Sequence, residues 1–287
     1  MTGLQMLRSG IFVLLAGSMG HAANLDVDNA SASAYGGGWF VSSYTLDGTV
    51  ASGAGFGGWN LRADPNAAVR IESVASLGGG TLLNTGSASF RLSGGWYEAT
   101  PGSGNFSQAY AKAERWLDPS GLDVGQTFTF QMAVNYRNGA KGVDLFGVDG
   151  AKIFNFNVGG DDYVVGNATT GNGSIGNGYS NDTLLEFRFE QTNSAGGSWA
   201  ITRSGGLSDL DSGTYTGVVR RFDFYAGGTD NNNPDALFFN NFAIVPEPST
   251  GSLFLSGLLA VSYLRRRRCD PPCFDQKPPA NRWAAPC

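Results

Sequence analysis

The chain has 287 residues, with 19 basic and 24 acidic side chains, a formal charge of −5 and only 15% charged residues. Its single histidine, His21, and its three cysteines, Cys269, Cys273 and Cys287, all lie outside residues 23–250. That stretch therefore offers no Ser-His-Asp or Cys-His apparatus, no histidine or thiolate zinc site and no disulfide. Its 12 basic and 22 acidic side chains give a formal charge of about −10, which argues against nucleic acid or anionic lipid as a partner.

Residues 1–22 read as a secretory signal peptide. Arg8 supplies a short basic region, residues 11–16 an apolar segment, and Gly20 and Ala22 the small residues that precede a cleavage expected after Ala22. Residues 23–245 then read as one domain, because no proline-rich or charge-rich linker divides them. Glycines gather in turn-like clusters at Gly36-Gly37-Gly38, Gly78-Gly79-Gly80 and Gly171-Asn172-Gly173.

In chain order, strands are expected at 39–46, 69–75, 88–92, 109–117, 127–135, 143–148, 153–158, 185–191, 199–203, 218–226 and 236–245. The clearest is 127–135, where Phe128, Phe130, Met132 and Val134 alternate with Thr127, Thr129 and Gln131. In 185–191, Leu185, Phe187 and Phe189 face inward while Glu186, Arg188 and Glu190 face out. Asp149-Gly150 sits between two strand runs and accepts the positive φ angles of a tight hairpin turn. The pattern predicts an all-β fold, a two-sheet antiparallel β-sandwich of jelly-roll or lectin-like type, without long helices.

Three constellations compete for function within that domain. Trp39, Trp59 and Trp96 each follow a Gly-Gly pair, which offers bulky rings beside flexible turns for stacking on sugar rings; the same position is where a tryptophan enters a core. Asp161 with Asp162, and Asp230 with Asp235, place hard oxygens on short loops as a candidate calcium site, although Asp and Asn also satisfy turns by themselves. Glu186 and Glu190 are the closest glutamates within a confident strand. Four residues of strand separate them by about 13 Å, with Arg188 between them on the same face, so they read as a surface charge ladder and no enzymatic activity is expected.

The end of the chain carries an address. Val245-Pro246-Glu247-Pro248-Ser249-Thr250 runs into the apolar stretch 251–264, closed by Arg265, Arg266, Arg267 and Arg268. Four arginines halt a hydrophobic segment and hold its end on the cytoplasmic side. Fourteen apolar residues reach only about 21 Å against a hydrocarbon core of about 30 Å, which suits a transient anchor. These residues resemble the PEP-CTERM sorting signal, with its Pro-Glu-Pro box, single transmembrane helix and arginine cluster, here spanning 246–268. The resemblance implies Sec export, an inner-membrane-anchored precursor, processing by an exosortase and delivery to the cell surface or an exopolysaccharide matrix. Residues 269–287, proline-rich and without periodicity, read as a disordered tail. Separately, Phe224-Tyr225-Ala226-Gly227-Gly228 followed by Leu237-Phe238-Phe239-Asn240-Asn241-Phe242 resembles the closing strands of concanavalin A-like lectins and glucanases, which implies the same sandwich architecture.

Overall fold

The computed structural model describes residues 26–246 except for 36–39, 42–43, 47–54, 73–82, 84–87, 99–100, 104–105, 118–119, 138, 159, 161, 168–170, 176–177, 207 and 228–235. The signal peptide, the sorting segment after Pro246 and the tail lie outside the described residues, among which no helix is long and apolar enough to cross a membrane. Apart from one turn of 3-10 helix at Ser33–Tyr35, the described elements are strands. They are β1 Asp26–Asp28, β2 Phe40–Val41, β3 Tyr44–Leu46, β4 Phe56–Ala63, β5 Ala68–Glu72, β6 Ser89–Ser93, β7 Gly95–Glu98, β8 Phe106–Leu117 and β9 Gln126–Val134. There follow β10 Ala140–Phe146, β11 Lys152–Val158, β12 Tyr163–Asn167, β13 Gly171–Ile175, β14 Leu184–Asn193, β15 Gly196–Ser204, β16 Asp209–Thr216, β17 Arg221–Gly227 and β18 Ala236–Pro246.

These strands form two antiparallel sheets, as the alternation requires. The first runs β16-β15-β14-β9-β18-β6-β5-β2, with β1 also on β18; the second runs β13-β12-β11-β10-β17-β8-β4-β3, with β7 also on β8. The two inner faces are lined by aromatic rings. Phe130 of β9 stacks on its cross-strand partner Phe187 of β14 at 4.7 Å, and Phe224 of β17 lies parallel to Phe239 of β18 at 4.0 Å, joining one sheet to the other. Such ring pairs add about 0.5–1.5 kcal/mol each beyond the area they bury. Opposite this bulk β8 presents only methyl groups at Ala109, Ala111 and Ala113, all fully buried. Large and small side chains thus fill the interior in alternation.

The last strand changes phase once. Leu237 and Phe239 point inward, and strict alternation would then turn Phe242 and Ile244 to the outside. A bulge between Asn240 and Ala243, with Asn241 at φ +56°, inserts the extra residue that returns Phe242 and Ile244 to the core. Asparagine tolerates that left-handed conformation better than most residues.

Among the described strands, β1, β4, β7, β12, β13 and β16 escape the expectation from the sequence. Gly57 and Gly58 break the apolar rhythm of β4, and the residues of β16 alternate between partial and full exposure, with only Tyr215 buried. β1 has three residues and β7 four, too short for a periodic signal. The cluster Gly171-Asn172-Gly173, expected as a turn, is part of β13 on the edge of the second sheet, paired with β12. At Asp149-Gly150 only Gly150 takes a positive φ, +80°; Asp149 instead accepts the Ala151 amide at 2.9 Å, and the connection widens to Gly147–Ala151.

Candidate functional site

Of the three tryptophans singled out by the sequence, Trp59 is corrected by the structure. It is 2% exposed, packed between Phe90, Phe222, Phe239 and Phe242, and its Nε1 donates to the Tyr35 hydroxyl at 2.9 Å. β4 already begins at Phe56, and an irregularity in its pairing with β8 between Phe56 and Trp59 brings both rings to the inner face, where Trp59 cannot offer a face to sugar. Trp39 and the Trp96 side chain lie outside the described residues, as do Asp161, Asp230 and Asp235. Asp162 is exposed, and among the described residues no group of acidic, histidine or cysteine side chains is arranged to hold a metal ion. Glu186 and Arg188 are exposed on the outer face of the first sheet and Glu190 is half-buried there; Arg188 pairs with Glu190 at 2.9 Å, as the charge ladder requires.

The outer face of the second sheet carries a different arrangement, which the sequence did not single out. Cross-strand register places Trp116 of β8 beside Arg221 of β17, and Arg221 beside Phe146 of β10. The Arg221 guanidinium sits 5.3 Å from the Trp116 ring centre and 3.9 Å from that of Phe146, and the Arg220 guanidinium lies 5.2 Å from Trp116. Trp116 is 40% exposed, unlike the buried Trp59 and Trp199. A cation fixed between rings holds the aromatic surface at a set angle, so that it meets a ligand with little loss of side-chain freedom.

Two residues along each strand, a second row crosses the sheet: Glu114 of β8, Asp223 of β17, Asp144 of β10 and Asn155 of β11 are successive register partners. Like charges directly opposite each other are destabilising, and basic side chains from adjoining positions offset them. Lys112 Nζ lies 2.7 Å from Asp223 and 3.3 Å from Glu114, Arg221 lies 3.3 Å from Asp223, and Lys152 lies 2.6 Å from Asp144. Asn155 donates to Asp144 at 2.5 Å and to the Tyr225 hydroxyl at 2.9 Å. Gly142 makes room for that hydroxyl, since an added Cβ would overlap it and the Phe156 carbonyl. Burial pushes the Asp223 carboxyl above its ordinary value against the pull of Lys112 and Arg221. Burial likewise raises the Tyr225 phenol, helped by the nearby Asp144 charge.

Glu114 and Asp223 are the carboxylates to weigh for glycosidase chemistry, since they are cross-strand partners and each reaches the same Lys112 nitrogen, at 3.3 and 2.7 Å. Glycoside hydrolysis asks for two carboxyl groups about 5–9.5 Å apart. The chemistry also needs both groups to touch the scissile bond, and here Asp223 is 1% exposed with the ammonium lodged between the pair. The arrangement suits an ordered surface of hydrogen-bond acceptors beside an aromatic shelf.

No curated protein matches the chain in sequence. Its backbone is similar to that of a sialidase, at 11% identity over 67% of this chain and 17% of that one, with a TM-score of 0.39. It is also similar to the PL-14 alginate lyase from Aplysia kurodai, at 14% identity, 57% and 84% coverage and a TM-score of 0.34. The Crh5 transglycosylase gives 12% identity, 73% and 85% coverage and a TM-score of 0.36. At the end of β18, where Val245 and Pro246 still pair with Thr127 and Gln126, residues 245–268 match the PEP-CTERM protein-sorting motif. The chain is therefore a two-sheet β-sandwich that carries a PEP-CTERM protein-sorting motif directly on its last strand.

Proposed function

We propose that this protein is a non-catalytic component of the cell surface or its exopolysaccharide matrix, and that its sandwich binds glycan on the outer face of the second sheet. The observation that supports this reading is the exposed Trp116 shelf, braced by Arg221 against Phe146, beside the row of Glu114, Asp223 and Asp144. Sugar rings stack their C–H faces on such a shelf, and the half-buried Glu114, Asp144 and Asn155 one row away accept or donate to the hydroxyls. The burial of Asp223 and its ion pair with Lys112 withhold it from ligand and from acid-base work.

Sorting supplies the other half of the reading. The motif begins within β18, so cleavage near Pro246-Glu247-Pro248 would release the domain. Replacing Glu247 with Ala should leave export intact and make the unprocessed precursor accumulate in the inner membrane, read by immunoblot of fractionated cells. Normal processing of that variant would remove the assignment of Pro246-Glu247-Pro248 and Arg265 to Arg268 as the working signal. Glycan binding is tested separately by retention of the protein on polysaccharide resins, with Trp116→Ala as the comparison: weakened retention supports the shelf, and unchanged retention overturns it.

A further inference from the structure

The outer face of the first sheet holds a groove of 340 Å3, lined by Thr129, Gln131, Glu186, Arg188, Thr202 and Asn241 together with the strand backbone of Phe130 and Phe187. It is on the opposite side of the sandwich from Trp116. We propose that this groove is a second carbohydrate site, shaped for an uncharged, hydroxyl-rich oligosaccharide, and that the domain holds two glycan chains at once, one on each face.

Strand register builds the groove. Asn240 pairs with Gln131, Gln131 with Glu186 and Glu186 with Thr202, so four neighbouring strands each contribute one polar position to a single row across the sheet. At about 4.8 Å between strands the row spans about 14 Å, the reach of a short oligosaccharide. The bulge in β18 turns Asn241 into this row through its positive φ. Its Nδ2 donates to Gln131 Oε1 at 2.7 Å, and Gln131 Nε2 donates to Glu186 at 2.6 Å. Asn241 is held in place from the other side as well: the Leu83 carbonyl accepts from both Asn240 and Asn241, and the Leu83 side chain is buried with Ala133, Leu184, Ala236 and Phe238.

The occupant follows from what the lining leaves unspent. Gln131 has given one amide hydrogen to Glu186 and keeps the other, Glu186 keeps its second oxygen, and the Thr129 and Thr202 hydroxyls can donate or accept. Arg188, bonded to Thr127 at 3.4 Å and paired with Glu190 at 2.9 Å, has its charge offset on the spot. Donors and acceptors alternate with no net positive charge, which fits sugar hydroxyls and disfavours polyanions. No large apolar side chain points into the groove, since the Phe130 and Phe187 rings are turned into the core at 1% exposure. A protein partner would need such an anchor. That the protein bridges two chains rests on the reading of the Trp116 face; the groove itself does not.

The test is a calorimetric titration of the full chain in detergent with cellohexaose and maltohexaose, and with a hexameric oligouronate as the charged control. Trp116→Ala isolates the groove and should still bind an uncharged hexasaccharide, while the oligouronate gives no heat. Adding Thr202→Arg, at a position on the outer face where the new side chain fills the groove without entering the core, should weaken that binding at least tenfold with the melting temperature unchanged. The double variant Gln131→Ala, Glu186→Ala should do the same by removing partners instead of space. Binding abolished by Trp116→Ala alone overturns the groove and leaves the first site standing. Binding that survives Trp116→Ala undiminished but is lost with Thr202→Arg supports the groove and overturns the shelf. Absence of binding in every form overturns the groove.

Discussion

Asp28 of β1 forms a buried ion pair with Arg115 of β8, at 4% and 0% exposure, and so ties the first described strand to the opposite sheet. The Tyr35 hydroxyl donates to the same carboxylate at 2.6 Å, Arg115 Nε donates to the Gly57 carbonyl at 2.7 Å, and the guanidinium lies 4.8 Å from the ring centres of both Phe56 and Trp59. Both charges thereby find partners within the core. Asp28→Ala would remove the carboxylate from a buried ion pair, and breaking such a pair costs about 3–5 kcal/mol. Urea denaturation should show a loss in that range for Asp28→Ala and a smaller one, about 1–3 kcal/mol, for Tyr35→Phe. A loss for Asp28→Ala no larger than that of an ordinary surface substitution, about 0.5 kcal/mol, would mean that β1 contributes little to the fold.

Two tryptophans on neighbouring strands should respond in opposite ways. Trp59→Ala empties a fully packed site and should cost about 3–5 kcal/mol, enough to unfold a domain of ordinary stability. Trp116→Ala removes a ring that is already 40% exposed and should shift the melting temperature little while it weakens glycan retention. Thermal melts of both variants decide between a core and a surface assignment for each.

Much of the sandwich was legible because period-2 alternation is strong where one face of a strand is buried. β9 and β14 were placed to within a residue or two for that reason, and the outward Glu186-Arg188-Glu190 ladder came with them. The candidate site was not legible. Gly-Gly before tryptophan says that the chain re-enters a sheet and leaves open which face the ring takes; Trp59 took the inner one. Trp116 stood in the expected strand 109–117, but its importance comes from Arg221 and Phe146. Those residues are distant from it in sequence and meet it only through the cross-strand register of β8, β17 and β10. The alternation within 109–117, with Ala109, Ala111 and Ala113 inside and Tyr110, Lys112, Glu114 and Trp116 outside, was the available signal.

The bulge in β18 supplies a conformational test. A side chain other than Gly, Asn or Asp in the left-handed region costs about 1–2 kcal/mol. Both Asn241→Ala and Asn241→Gly lose the side-chain hydrogen bonds to Gln131 and Leu83, so the alanine variant should be less stable than the glycine variant by about that amount. Equal stability of the alanine and glycine variants would show that the bulge does not impose the strain.

Asp223 gives a pH dependence with a definite sign. Burial raises its carboxyl above the ordinary value, so the fold favours the protonated form. The stability this group contributes is fully present below its unfolded pKa, about 3.9, and is lost as the pH rises through the raised folded value. Relative to Asp223→Asn, which cannot ionise, the natural protein should gain stability as the pH falls from neutral toward that unfolded value. The reverse trend would mean that the ion pairs to Lys112 and Arg221 outweigh burial.

Glycan binding without catalysis on the outer face of the second sheet is tested most directly by a glycan-array screen of the folded protein beside the Trp116→Ala variant, with the supernatants assayed for new reducing ends and unsaturated sugars. The predicted result is binding to at least one polysaccharide class, a clear weakening of that binding in the variant at unchanged melting temperature, and no products. Product formation that disappears in Glu114→Gln, with the fold retained, would contradict it.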